Sequence, residues 1–286
     1  MTDTQSPEER SGLARRAVLA AGGVAVAAVG VGSTFMTDAQ ASDRSDQEGA
    51  CYTLASELVE GPYYIDADKL RQDVTEDQEG IPLSLTLKVI DAETCRPLRN
   101  AAVDIWHCNA SGIYSGYEEM GSGGGGGAPP SGPPPTAAPT GPPPGGGGGH
   151  QEPTDDTRYL RGTWHTDRHG QVTFRTVFPG WYRGRCVHIH VKAHVDGEWT
   201  DAGYEGGHTC HTGQLFFDEQ SVLLSAEVEP YASNTTTRTT LDEDTIYPDN
   251  GHEGGLLYLR YDRHHIARGV RAHLTLGVEP DETNDG

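Results

Sequence analysis

The stretch Leu83-Ser84-Leu85-Thr86-Leu87-Lys88-Val89-Ile90 alternates apolar and polar side chains along its length. In a strand successive side chains point to opposite faces. Period two therefore puts Leu83, Leu85, Leu87 and Val89 on a buried face and Ser84, Thr86 and Lys88 on a wet one. Shorter runs at 101–106, 172–177, 187–191, 214–217 and 273–276 also read as strands. Asp167-Arg168-His169-Gly170 reads as a hairpin turn, and helical patterning is confined to 218–226 and 66–70. Several strands at short spacing with so little helix predict a mainly β fold: a single antiparallel β-sandwich domain with long loops and few short helices.

Outward from these strands lie segments that cannot belong to a core. The 286 residues are 35% hydrophobic and 7% aromatic, low for a chain packed along its whole length. Near the start, Arg15-Arg16 precedes an apolar Ala/Val/Gly-rich run over 17–31, and Ala39-Gln40-Ala41 supplies a small-residue cleavage site. Residues 1–41 read as a twin-arginine signal peptide, because the apolar run is short for the ~20 residues of a bilayer span. Retention as a membrane anchor is the alternative. Cleavage would leave a secreted, extracellular protein with no stable membrane association. Residues 42–286 then form the sandwich domain. Residues 121–149 are Gly, Pro, Ser, Ala and Thr throughout. They cannot bury a core, so a disordered Gly/Pro-rich insert is expected within the domain.

Asp and Glu number 42 against 21 Lys and Arg, a net charge of −21. Such acidity argues against nucleic acid or an anionic membrane as a partner. The five cysteines, Cys51, Cys95, Cys108, Cys186 and Cys210, favour disulfides in an exported chain, at most two bridges with one thiol left over. Their pairing is not legible. No C-x-x-C pair occurs, so neither a zinc ribbon nor a thioredoxin-type site is expected.

The chemistry concentrates in residues 179–190, PGWYRGRCVHIH. On an extended segment His188 and His190 share a face with Cα atoms about 6.5 Å apart, close enough for both imidazoles to reach one ion. Tyr182 adds a phenol, which ionises only near pH ~10 in water. A metal that binds phenolate at neutral pH is a hard, strong Lewis acid, and ferric iron suits that better than zinc.

In order and spacing, EGPYY at 60–64, AAVDIWHCNASGIYSGY at 101–117, LRG at 160–162, PGWYRGRCVHIH and GQLFF at 213–217 resemble the intradiol ring-cleavage dioxygenases, the family of catechol 1,2-dioxygenase and protocatechuate 3,4-dioxygenase. The resemblance covers most of 42–286. It implies one non-haem Fe(III) ion per chain, held by Tyr114, Tyr182, His188 and His190 with a solvent-derived hydroxide. Tyr182 and His188 match the axial pair, Tyr114 and His190 the equatorial pair, and Tyr182 matches the ligand released when substrate binds. Arg185 matches an arginine facing the substrate, and Gln214 a glutamine beside it. The implied reaction is cleavage of a catechol-type aromatic diol by O2 between its hydroxylated carbons, giving a cis,cis-muconate-type diacid. An export signal leading directly into the sandwich looks like the secreted members. No long helical dimerisation region precedes Glu60, which leaves a homodimer open.

Tyr63 and Tyr64 match positions lining the substrate mouth. Trp106, Phe174 and Trp181 read as core or pocket wall, and His107, His208, His211, His264 and His265 as solvated side chains rather than ligands. Two other functions fit parts of the pattern. One is a non-catalytic secreted sandwich acting as a binding module. The other is a different metalloenzyme, such as a zinc hydrolase, which would need a third His or a carboxylate beside His188 and His190.

Overall fold

In the computed structural model β1 (Pro82–Asp91) spans the alternating run, with Leu85, Leu87 and Val89 fully buried. The structure describes residues 51–66, 69–123, 151–248 and 254–284, all within one compact unit of the chain. The other strands are β2 (Ala102–Trp106), β3 (Arg161–His165), β4 (Gln171–Val177), β5 (His188–Trp199), β6 (Tyr204–Phe216), β7 (Tyr258–Arg260) and β8 (Val270–Val278). They form two four-stranded sheets, ordered β4-β1-β8-β7 and β3-β2-β5-β6. Leu83, Leu85, Leu87, Phe174, Ala272 and Leu274 of the first sheet meet Val103, Ile105, Ile189, Val191 and Leu215 of the second in one core. Each fully buried Leu, Ile, Val or Phe contributes roughly 1.5–3 kcal/mol of burial free energy, which makes this interface the main source of stability. The fold is the expected β-sandwich with few helical turns.

The structure corrects several details. The sandwich is not wholly antiparallel: β1 pairs with β8 in parallel, Leu83 opposite Val270 and Val89 opposite Leu276. Alternation fixes which face of a strand is buried but not the direction of its neighbour, and the long connection between β1 and β8 permits a parallel pair. Asp167–Gly170 does form a turn, with Gly170 N–H donating to Asp167 O at 3.0 Å. The strands it joins, β3 and β4, belong to different sheets, so it is a corner and not a hairpin. No helix forms at 66–70 among the described residues, where Leu70 instead bridges to Thr163. The helix expected at 218–226 is α1 (Glu219–Ser225), capped by Asp218, whose side chain accepts from Ser221 N–H at 2.9 Å.

One disulfide forms, Cys51–Cys95, and Cys108, Cys186 and Cys210 are buried thiols, so three cysteines remain unpaired where the sequence suggested as few as one. Cys186 packs with Leu58, Phe216, Leu241, Ile246 and Leu256, Cys108 among the site tyrosines and Cys210 in the main core; packing in three separate clusters keeps them apart. Residues 121–123 belong to a 3-10 turn (Glu118–Gly123), while the remainder of the Gly/Pro-rich insert and residues 1–41 lie outside the described residues. Among the described residues no helix is long and apolar enough to cross a membrane.

Candidate active site and metal centre

The even-numbered residues of β5 point away from the sandwich core, which puts His188 and His190 on the outer face of the second sheet. Strand register sets Arg161, Trp106, His190 and Gln214 in one row across β3, β2, β5 and β6. Loops cover this row. In the first, after β2, Asn109 Oδ1 accepts from Ser111 N–H and Ile113 N–H, forming the bend that delivers Tyr114. The second, between β4 and β5, delivers Tyr182. A Cβ on Gly112 (φ +80°) would lie 2.2 Å from Trp181 O, and one on Gly180 would lie 2.3 Å from Ala110 O. Only glycine at both positions lets the two tyrosine loops pack backbone to backbone.

The structure brings four donor side chains together. His188 Nε2 lies 3.1 Å from His190 Nε2, 3.3 Å from Tyr182 Oη and 3.5 Å from Tyr114 Oη. All four residues are buried, Tyr182 the least at 8% exposure and on a loop rather than a strand. His188 Nδ1 donates to Cys186 O at 2.7 Å, leaving the Nε2 lone pair aimed at the cluster. His190 stacks on Trp106, rings 8° from parallel and centroids 4.8 Å apart. Its Nδ1 is buried without a hydrogen-bond partner among the described residues.

Electrostatics in the cluster favour uncharged groups. Burial, followed by the charge of Arg185, pushes His188 down to about 3; burial and then His188 hold His190 well below its ordinary value. Burial raises both phenols well above theirs, with Arg185 opposing that rise at Tyr182. Two neutral imidazoles therefore face two phenols that ionise there only beside a compensating cation. Donor separations of 3.1–3.5 Å are those of neighbouring ligands on one ion with bonds of about 2.0–2.1 Å. On distance and donor chemistry the cluster fits a hard trivalent ion. Among the described residues no three His, Cys, Asp or Glu side chains gather, so a zinc hydrolase would lack its third ligand.

Arg185 donates through Nη2 to Gln214 Oε1 at 2.5 Å and through Nε to Asp244 Oδ2 at 2.9 Å, and Gln214 Nε2 donates to Val59 O. Asp244 also accepts from the backbone N–H groups of Cys186, Ile246 and Tyr247. Burial opposes ionisation of its carboxyl, but Arg185 and these N–H groups outweigh it and lower the pKa to about 2. Sequence reasoning missed this anchor, which lies 59 positions from Arg185. Arg161 was also missed as a site residue. Its buried guanidinium donates to Ser115 Oγ, Ser115 O and Tyr63 O and lies 6.0 Å from the Tyr114 ring centroid, so it fixes the segment that carries Tyr114. Its place in the LRG segment was the available signal.

Tyr63 stacks on Tyr114 at 4.8 Å and lines a small cleft with Gly112, Tyr117, Met120 and Tyr182. Tyr64 turns to Asp104 and Lys192 instead. Trp181 is buried and donates to Thr236 O, and Phe174 is core. The remaining histidines lie apart from the donor cluster, but not all are solvated. His107 is buried between Cys108 O and Thr176 Oγ1, and His211 is buried against Glu57, whereas His264 and His265 are exposed and His208 binds Pro280 O.

A dioxygenase family model matches residues 59–123, the segment that contains Tyr114. Among solved structures, an intradiol ring-cleavage dioxygenase from Tetranychus urticae is 30% identical over 82% of this chain and 98% of its own, with a TM-score of 0.64. This chain belongs to the intradiol ring-cleavage dioxygenases. A second structure, described as a dioxygenase, agrees equally well: 30% identity, the same coverage and a TM-score of 0.65. No curated protein sequence matches the chain. The protein is therefore an oxygenase enzyme, of a family that uses iron and O2 to open aromatic diols.

Proposed function

We propose that the chain is a non-haem Fe(III) intradiol dioxygenase that cleaves catechol-type diols between the hydroxylated carbons to cis,cis-muconate-type diacids. The observation that carries this reading is the convergence of Tyr114 Oη, Tyr182 Oη and His190 Nε2 on His188 Nε2 within 3.5 Å, beside the arginine that Asp244 anchors. A ferric ion held by these four residues would draw electron density from a bound diol and open its ring to O2.

The two histidines, fixed on β5, keep their positions, while Tyr182, on a loop and the most exposed donor, swings away as the diol enters. Its phenolate oxygen then takes one of the diol protons. Arg185, oriented by Asp244 and Gln214, presents a fixed cation where oxyanion character develops on the substrate. Tyr63 and Tyr117 wall the cleft and exclude water. In keeping with the export signal read at 1–41, we place the mature enzyme outside the cell, with an aromatic diol and O2 as its small-molecule partners.

The test is iron loading followed by O2 uptake across a panel of substituted catechols. One iron per chain, a red tyrosinate-to-iron absorption and catechol-dependent uptake are expected. A fully iron-loaded but colourless and inert protein would overturn the reading.

A further inference from the structure

The outer face of the first sheet carries charge opposite in sign to the chain as a whole. Ser84 pairs with both Arg175 and Arg271, and Arg271 pairs with Arg260, so these residues stand in one row across β4, β1, β8 and β7. Two residues along the strands comes a row of Thr173, Thr86, His273 and Tyr258, and beyond it Lys88 between Gln171 and Thr275. None of these positions holds Asp or Glu, in a chain where acids outnumber bases 42 to 21.

This arrangement has a cost. Like charges directly opposite on neighbouring strands repel, and Arg260 faces Arg271. Neither forms an ion pair among the described residues. Arg175 reaches Asp73 at 3.5 Å, and nearby Arg268 reaches Asp262 at 3.7 Å, both largely exposed contacts that neutralise little. All four arginines line one shallow cleft of about 560 Å³. Beside it the Tyr258 ring, on a residue 60% exposed, stacks on His273 at 5.3 Å.

We propose that this face binds an acidic polysaccharide, a sugar chain bearing a carboxylate on each residue. Strands are about 4.8 Å apart, so the guanidinium groups leave the sheet at intervals of about 5 and 10 Å, suited to closely spaced carboxylates. Each guanidinium can pair a carboxylate through two parallel N–H bonds. The hydroxyl of Ser84 lies between Arg175 and Arg271 for a sugar hydroxyl, the Thr86 and Thr173 hydroxyls, 2.9 Å from each other, lie in the next row, and the exposed ring of Tyr258 offers an apolar platform for a sugar face. At ~0.1 M salt, charges more than about 10 Å away are screened, so a polymer on this face meets the arginines rather than the acidic remainder of the surface. The donor cluster sits on the outer face of the opposite sheet. Attachment here would hold the enzyme on an anionic matrix with its active site open to solution.

The probe is polygalacturonate, its affinity for the iron-loaded protein measured by calorimetry at ~0.1 M salt, where the acidic remainder of the surface is screened. Substituting Arg175, Arg260 and Arg271 together by Gln should weaken binding by at least about tenfold, and Tyr258→Ala by about threefold. Arg168→Gln, an exposed arginine off this face, should leave affinity unchanged, and O2 uptake with a free catechol should be unaltered in every variant. The proposal is overturned if polygalacturonate binds no better than a neutral polysaccharide, or if the triple variant keeps wild-type affinity. Equal affinity for polyglutamate or single-stranded DNA would also overturn it.

Discussion

Each sheet carries an arginine-bearing cross-strand row on its outer face, and the two rows use arginine in opposite ways. In the second sheet Arg161 is buried beneath loops, its guanidinium donating to Ser115 and Tyr63. In the first, Arg175, Arg260 and Arg271 are exposed, and two of them face each other. Burial makes an unpaired charge so costly that the fold must supply partners, whereas water tolerates repulsion at a modest cost. Buried Arg161 and partly buried Arg185 are consequently fixed in place and suited to positioning, and the exposed ones stay available to a ligand.

The most severe way to break the buried row is at His190. His190→Ala should abolish iron retention and, with it, essentially all O2 uptake, read by metal analysis beside activity. Asp244→Asn strips Arg185 of its buried counter-ion and should cost about 3–5 kcal/mol in denaturant unfolding. It should also change the pH dependence. The Asp244 carboxyl, held at about 2, lies below its unfolded value of about 3.9. Its contribution, about 2–3 kcal/mol, is therefore complete above pH ~4 and lost as pH falls towards 2, a slope the Asn variant should lack. Arg185→Gln should lower kcat by about 10²–10³-fold while iron stays bound, because a fixed cation acts on the transition state. The exposed row should respond least. Arg271→Thr should shift stability by no more than about 0.5 kcal/mol, on the stabilising side, since it relieves the repulsion with Arg260.

The difference between the rows also explains what the sequence revealed. β1 was legible because Leu83, Leu85, Leu87 and Val89 alternate with polar residues, and the His188-x-His190 pair was legible because side chains two apart share one face of a strand, whereas Tyr182 and Arg185, on the loop before β5, were legible through the family resemblance. β3 and most of β6 were not. Their sequences, RGTWH and YEGGHTCHTGQLF, put polar residues and glycines where a strand signal needs apolar ones, because their outer faces are covered by loops and partnered polar groups. The parallel pairing of β1 with β8 depends on a partner distant in sequence, and local alternation carries no record of it. Asp244 was hidden for the same reason: its role rests on a contact with Arg185 and leaves no local pattern.

The central claim is that four buried donors hold an iron centre for intradiol chemistry, and product analysis under oxygen-18 gas tests it most directly. Iron-loaded protein supplied with catechol should yield cis,cis-muconate carrying both atoms of the labelled O2, and the His190→Ala variant should yield none. A ring-opened semialdehyde, or no product from a fully iron-loaded protein, would contradict the account.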